Sequence, residues 1–84
     1  MVEHQMQNNV SSNQTTFALK RVLIAYEQLN ETHPKRVSNA TSHVQRAMEV
    51  ALKASRRNYA TLGQVHELEL IESRVLEESR GDGR

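Results

Sequence analysis

The chain has 84 residues, a formal net charge of +1 and no cysteine. Its length permits one small domain, and the lack of cysteine excludes a disulfide framework, a thiolate zinc site and a cysteine nucleophile. The sequence contains no apolar run of the ~18 residues that a membrane-spanning helix needs, and its polar N-terminus lacks the pattern of a secretory signal, which predicts a cytoplasmic protein.

Both ends of the chain are predicted to lie outside the folded domain. Residues 1–14 are mostly Asn, Gln and Ser with few apolar residues, and they show no period of a helix or a strand. We therefore predict a disordered polar arm over this segment. Residues 81–84 are predicted to be a frayed tail, so the helical domain is expected over residues 15–80.

The first predicted helix covers residues 15–31. Its apolar residues recur at helical spacing, so that they form one face. Phe17 and Ile24 widen this apolar surface beyond a single stripe, which is typical of a helix with more than one neighbour. The helix is expected to end before His33, because the residue preceding a proline avoids the α region. The predicted core of this helix consists of Leu19, Val22, Leu23, Tyr26 and Leu29.

The second predicted helix covers residues 35–58 and follows Pro34, which suits the first turn of a helix. Val and Ala recur on one face at heptad spacing, so another helix can approach closely there. Such small residues bury little area per turn. We therefore expect this seam to pack on a bulkier partner, either the first helix or a second copy of the chain. The predicted self-association seam consists of Val37, Ala40, Val44, Ala47, Met48, Ala51 and Ala54.

The third predicted helix covers residues 62–80. Thr61 and Gln64 have the spacing of a capping box at its start. The heptad phase of the second helix also runs on through this segment, so one helix over 35–80 is an alternative. No strand pattern is present. The predicted fold is all-α: an antiparallel helical hairpin plus a third helix, as a small bundle or a coiled-coil-like dimer.

Basic residues concentrate in the middle of the chain and acidic residues near its end. Residues 17–60 carry eight basic against three acidic side chains, and residues 61–84 carry six acidic against three basic. In an antiparallel hairpin, the start of the first helix lies beside the end of the second, which gathers basic residues at one end. Either Glu67 and Glu69 neutralise this cluster, or it contacts an anion such as nucleic-acid phosphate. The basic cluster consists of Lys20, Arg21, Lys53, Arg56 and Arg57.

No residue pattern points to catalysis or to a bound cofactor. None of the four histidines pairs with another at helical spacing, and no glycine-rich phosphate loop is present. We therefore predict a non-enzymatic protein with no metal or other cofactor, no small-molecule substrate and no membrane contact. The leading prediction is a self-associating protein–protein interaction module, a regulatory or assembly protein that forms a homodimer and binds a further protein. The alternative is a small helical nucleic-acid-binding protein that uses the basic cluster.

Overall fold

The computed structural model describes residues 9–80 and contains three helices that pack against one another. Helix α1 spans Asn13–Thr32, α2 spans Val37–Arg57 and α3 spans Leu62–Arg80. A 3-10 turn at Pro34–Arg36 joins α1 to α2. The prediction of an all-α fold, with a helical hairpin and a third helix, is confirmed. The coiled-coil-like dimer stays a prediction.

A short β-ladder ties the start of the chain to the junction between α2 and α3. Strand β1, Asn9–Val10, pairs antiparallel with strand β2, Ala60–Thr61. Neither strand was predicted, because two residues are too few to show the alternation that identifies a strand in a sequence. The ladder shortens the predicted arm, since Asn9 and Val10 are paired and the first helix already begins at Asn13.

Helix α1 begins two residues before its predicted start. The Asn13 N–H donates to Ser11 Oγ at 3.1 Å, which satisfies one of the backbone donors that a helix start leaves without a partner. The remainder of the predicted arm, residues 1–8, and the predicted tail, residues 81–84, lie outside the described residues.

The chain breaks between α2 and α3, so the alternative of one continuous helix is wrong. Asn58 has a left-handed backbone (φ 68°, ψ 18°), and its N–H donates to the Ser55 carbonyl at 3.2 Å. Asparagine tolerates this conformation better than most residues, and it therefore ends a helix well. The predicted capping box then starts α3. The Gln64 N–H donates to Thr61 Oγ1, and the Thr61 N–H donates to Gln64 Oε1, both at 3.0 Å.

The core lies between the three helices and is rich in alanine. Small side chains on α1 and α2 let the helix backbones approach closely, while α3 supplies larger aliphatic groups. The three core residues of α3 lie on one side of that helix, at spacings of three and four residues. The core consists of Ala18, Val22, Ala25 and Leu29 from α1, Ala40, Val44, Ala47 and Val50 from α2, and Leu68, Ile71 and Val75 from α3.

The core face of α1 differs from the predicted stripe. Val22 and Leu29 are fully buried as predicted, whereas Leu23 is 38% exposed. Leu19 and Tyr26 are partly buried and pack against the edge of the core. Because α1 contacts both α2 and α3, the side that lies between these two helices points inward. This side carries the smaller residues Thr15, Ala18 and Ala25, which the predicted stripe omitted.

The Val/Ala seam of α2 is covered within the chain. Its central residues are buried between α1 and α3, Val37 packs against the edge of the core, and Met48 is 46% exposed. The seam therefore packs against α1 and α3 of the same chain. Five of the seven seam residues are thus enclosed within the chain, whereas Met48 stays exposed at the edge of the seam. The buried seam residues are Ala40, Val44, Ala47, Ala51 and Ala54.

Candidate interaction surfaces

The outer side of the α1–α2 pair is apolar and open to solvent. Leu19 and Ala51 form the floor of a groove of about 360 Å³, whose other lining residues are Thr16, Met48, Leu52 and Ser55. Leu52 is 52% exposed and Met48 is 46% exposed. We call this surface the α1–α2 face. It consists of Thr16, Leu19, Leu23, Tyr26, Thr41, Met48, Ala51, Leu52 and Ser55.

Charge is absent from the α1–α2 face. None of its nine side chains belongs to an Asp, Glu, Lys, Arg or His residue. Leu23 and Tyr26 extend the groove along α1, because they follow Leu19 at helical spacing. The Tyr26 hydroxyl lies 3.4 Å from the Thr41 hydroxyl, which marks the far end of the face. Contiguous exposed apolar surface of this kind marks interaction sites in folded proteins.

Leu52 was not among the predicted site residues, although it is the most exposed apolar residue of this face. One feature of the sequence indicated that Leu52 belongs to this face: it lies one helical turn after Met48, on the same side of α2. The heptad pattern indicated the neighbouring Val/Ala seam instead, and the fold buries most of that seam.

A charged cleft lies on the other side of α2, where α2 meets α3. The Arg46 Nε donates to Glu67 Oε2 at 2.7 Å, and Arg46 Nη1 lies 3.6 Å from Glu49 Oε1. The hydrogen bond and the charge of Glu67 raise the pKa of Arg46 above its usual value. Lys53 and Arg57 line the same cleft, whose volume is about 140 Å³.

Cross-helix ion pairs neutralise much of the acidic third helix. The Arg21 Nε lies 3.4 Å from Glu72 Oε1, which joins α1 to α3. The Arg36 Nη1 lies 3.6 Å from Glu78 Oε1 and donates to the Glu78 carbonyl at 3.3 Å. With the Arg46–Glu67 pair, these contacts link the basic middle of the chain to its acidic end. Three of the eight basic side chains of residues 17–60 thus pair with acidic side chains of α3.

The predicted basic cluster is divided among different faces of the bundle. Arg21 pairs with α3, as described above, while Lys53 and Arg57 line the α2–α3 cleft. The Arg57 guanidinium lies 5.7 Å from the centre of the Tyr59 ring, within the range of a cation–π contact. Lys20 and Arg56 are exposed and have no ion-pair partner within residues 9–80.

The two glutamates predicted to neutralise the cluster have other partners. Glu67 pairs with Arg46, which the predicted cluster did not include. Glu69 Oε1 lies 3.7 Å from His66 Nδ1 on its own helix. Of the five residues of the predicted cluster, only Arg21 pairs with an acidic side chain in the described part of the chain, and its partner is Glu72. Helix spacing alone does not say which side of each helix meets its neighbour, so the predicted pairs are wrong.

Within the described part of the chain, no three His, Asp or Glu side chains come together in a way that could hold a metal ion. None of the helices in that part is long and apolar enough to cross a membrane.

Comparisons with protein-family models, with curated proteins and with solved structures found no significant match. The class of the protein is therefore defined by its fold and surface: a small three-helix bundle with an uncharged apolar face on α1 and α2.

Proposed function

We propose that this chain is a small, non-enzymatic protein–protein interaction module of the cytoplasm, which associates with itself and serves in regulation or assembly. The observation that carries this proposal is the α1–α2 face. Its leucine and methionine side chains stay exposed although the core is already closed by residues of the same chain. No other part of residues 9–80 covers these side chains, and we infer that contact with another molecule buries them further.

The gain from covering this face is large enough to support association. Complete burial of a Leu or Met side chain contributes roughly 1.5–3 kcal/mol. Leu52 and Met48 are about half exposed and Leu23 somewhat less, so each retains an appreciable part of this free energy. No charged group has to be desolvated at the centre of the face, since none is present there.

The proposal is tested by placing a charge in the middle of the face. We expect wild-type protein at micromolar concentration to sediment as a dimer or larger species, and Leu52→Glu to sediment as a monomer, because the variant would bury an unpaired carboxylate. The matched control is Leu70→Glu. Leu70 is 49% exposed, close to the 52% of Leu52, but it lies on α3.

The two variants are compared by sedimentation velocity, with circular dichroism to verify that both remain helical. Leu70→Glu should keep the wild-type mass. Equal masses for wild type and Leu52→Glu across a concentration series would contradict a role for this face in self-association.

Nucleic-acid binding is the second candidate function, and a different observation favours it. Lys53, Arg56 and Arg57 occupy the last two turns of α2, and no ion pair to an acidic side chain is formed by them in the described region. Unpaired cations on one helix end can contact a phosphate backbone without reading its sequence.

This second candidate predicts a specific salt dependence. If it holds, Arg56→Ala with Arg57→Ala weakens binding to duplex or single-stranded DNA irrespective of sequence. The slope of log affinity against log salt should then shrink by about one for each phosphate that the variant no longer neutralises. The control is Arg74→Ala with Arg80→Ala, which removes the same charge from α3. Fluorescence anisotropy with labelled oligonucleotides measures the affinity of each double variant. Equal affinity for the two double variants would exclude this function.

A further inference from the structure

We propose that the α2–α3 cleft binds the phosphate group of a phosphate monoester, with Lys53 and Arg57 as its charged partners and Gln64 as a further hydrogen-bond donor. This inference does not depend on self-association through the α1–α2 face. It also differs from the nucleic-acid candidate, because it concerns a terminal phosphate between two helices rather than the backbone of a strand on an open surface.

Two cations without acidic partners line this cleft. Lys53 and Arg57 both border it, and within residues 9–80 neither forms an ion pair with an acidic side chain. They are four residues apart, so they leave the same side of α2 and repel each other. The Arg57 guanidinium also lies 5.7 Å from the centre of the Tyr59 ring, a contact that leaves its N–H donors available. An anion between the two cations would relieve their repulsion.

The capping box of α3 supplies a neutral donor to the same cleft. Gln64 borders the cleft, and its Oε1 accepts the Thr61 N–H at 3.0 Å. Because this bond turns the amide oxygen towards Thr61, the Gln64 Nε2 is the end of the amide that is left to donate. The first turn of α3 contains no acidic residue, so the positive end of its helix dipole adds to the field of the two cations.

The carboxylates of the cleft lie beside a third cation. The Arg46 Nε donates to Glu67 Oε2 at 2.7 Å, and its Nη1 lies 3.6 Å from Glu49 Oε1. Arg46 comes two helical turns before Lys53, so this ion-pair group lies towards the middle of α2. The Glu49 side chain is 70% exposed, and water screens much of its charge. The uncompensated positive charge of the cleft is therefore at its other end, with Lys53 and Arg57.

Charge and size favour a phosphate monoester over other anions. A monoester carries a charge of about −1.5 to −2 at neutral pH and three acceptor oxygens, which match two cations and one amide donor. A carboxylate or a backbone phosphodiester carries a single negative charge. The cleft has a volume of about 140 Å³, several times the ~30 Å³ that a water molecule occupies in the liquid. It therefore has room for one phosphate group, and the remainder of the ligand would lie outside.

The test compares methyl phosphate with dimethyl phosphate, a diester with a single negative charge. We expect methyl phosphate at neutral pH to shift the backbone amide signals of Lys53, Arg57 and Gln64 in a saturable NMR titration. It should bind at least about tenfold more tightly than dimethyl phosphate. Lys53→Gln and Arg57→Gln should each weaken its binding roughly tenfold, because each removes one charge-assisted contact.

The matched control is Arg56→Gln. Arg56 has the same charge and lies in the same turn of α2, but it is exposed and does not border the cleft. Its loss should change the affinity for methyl phosphate by less than about twofold. Glu49→Gln should instead tighten binding about two- to threefold, because it removes a negative charge from the cleft. Circular dichroism verifies that all four variants remain helical.

A mononucleotide and a 5′-phosphorylated DNA strand distinguish two sources of the monoester. If the ligand is a small molecule, adenosine 5′-monophosphate should bind more tightly than methyl phosphate and at least as tightly as the strand. If the ligand is the end of a strand, the phosphorylated strand should bind more tightly than the mononucleotide. Adenosine and the unphosphorylated strand are the controls, and equal affinity with and without the phosphate would overturn the proposal.

The outcomes for methyl phosphate decide whether the cleft is a site. Binding that depends on Lys53 and Arg57 but not on Arg56 supports it. Equal weakening by all three variants would show a diffuse attraction to the end of α2 and would overturn it. Absence of saturable binding, or equal affinity for methyl and dimethyl phosphate, would overturn it as well. A monomeric protein, or one without affinity for oligonucleotide backbones, would leave this result unaffected.

Discussion

Replacing Ala47 with glutamate is expected to abolish the cooperative fold of the bundle. Ala47 lies in the middle of α2 with no exposed surface, and the alanines around it hold the helices close together. A glutamate there would have to bury a carboxylate without a partner and also displace the neighbouring helix. A loss of more than ~4 kcal/mol is expected, which is comparable with the whole stability of a small domain.

The matched control for this variant is Gln45→Glu, which adds the same charge at an exposed position of the same helix. It should change the free energy of unfolding by less than ~0.5 kcal/mol. Circular dichroism during thermal and urea unfolding compares the two. An Ala47→Glu variant as helical and as stable as the wild type would show that the seam faces water rather than the core.

Leu29→Ala is expected to destabilise the protein far more than Leu23→Ala. Leu29 is fully buried near the end of α1, whereas Leu23 is 38% exposed. Truncating a buried leucine costs about 2–5 kcal/mol, since it removes apolar burial and leaves a cavity. Leu23 lies outside the core, so its truncation is expected to lower the free energy of unfolding by less than ~1 kcal/mol.

Urea unfolding measures the free energy of unfolding of Leu29→Ala and of Leu23→Ala. The protein concentration is kept low enough for the monomer to predominate. Under that condition the role of Leu23 in the α1–α2 face does not add to its effect. Similar losses for the two variants would mean that the predicted leucine stripe, and not the small-residue face, is the core side of α1. At higher concentration, Leu23→Ala should weaken the proposed dimer, whereas Leu29→Ala should weaken the fold.

The fold class and the order of elements could be predicted from the sequence because they rest on local signals. Pro34 separates the first two helices, and helical periodicity identifies the apolar segments. The capping box at Thr61 and Gln64 sets the start of α3, and both of its hydrogen bonds are present. Asn58 also carried a local signal for the break before α3, since it follows two arginines at the end of a helix.

The face that each helix turns inward was decided by tertiary packing. Periodicity shows that α1 has an apolar side, but its core face is set by the directions of two neighbours at once. For that reason Ala18 and Ala25 are buried while Leu23 is exposed. The short β-ladder could not be predicted from the sequence either, because the packing of the helices brings its two strands together.

The candidate interface and the ion pairs were also fixed by the assembled structure. Sequence showed a basic middle and an acidic end, but not that Arg21 pairs with Glu72 or Arg46 with Glu67. It showed a Val/Ala seam able to meet either another helix or another chain. A third helix of the same chain encloses that seam, so the exposed apolar surface moves to the adjacent side of α2. Local chemistry thus determined the helices of this protein, and their mutual arrangement determined which side chains remain free to bind.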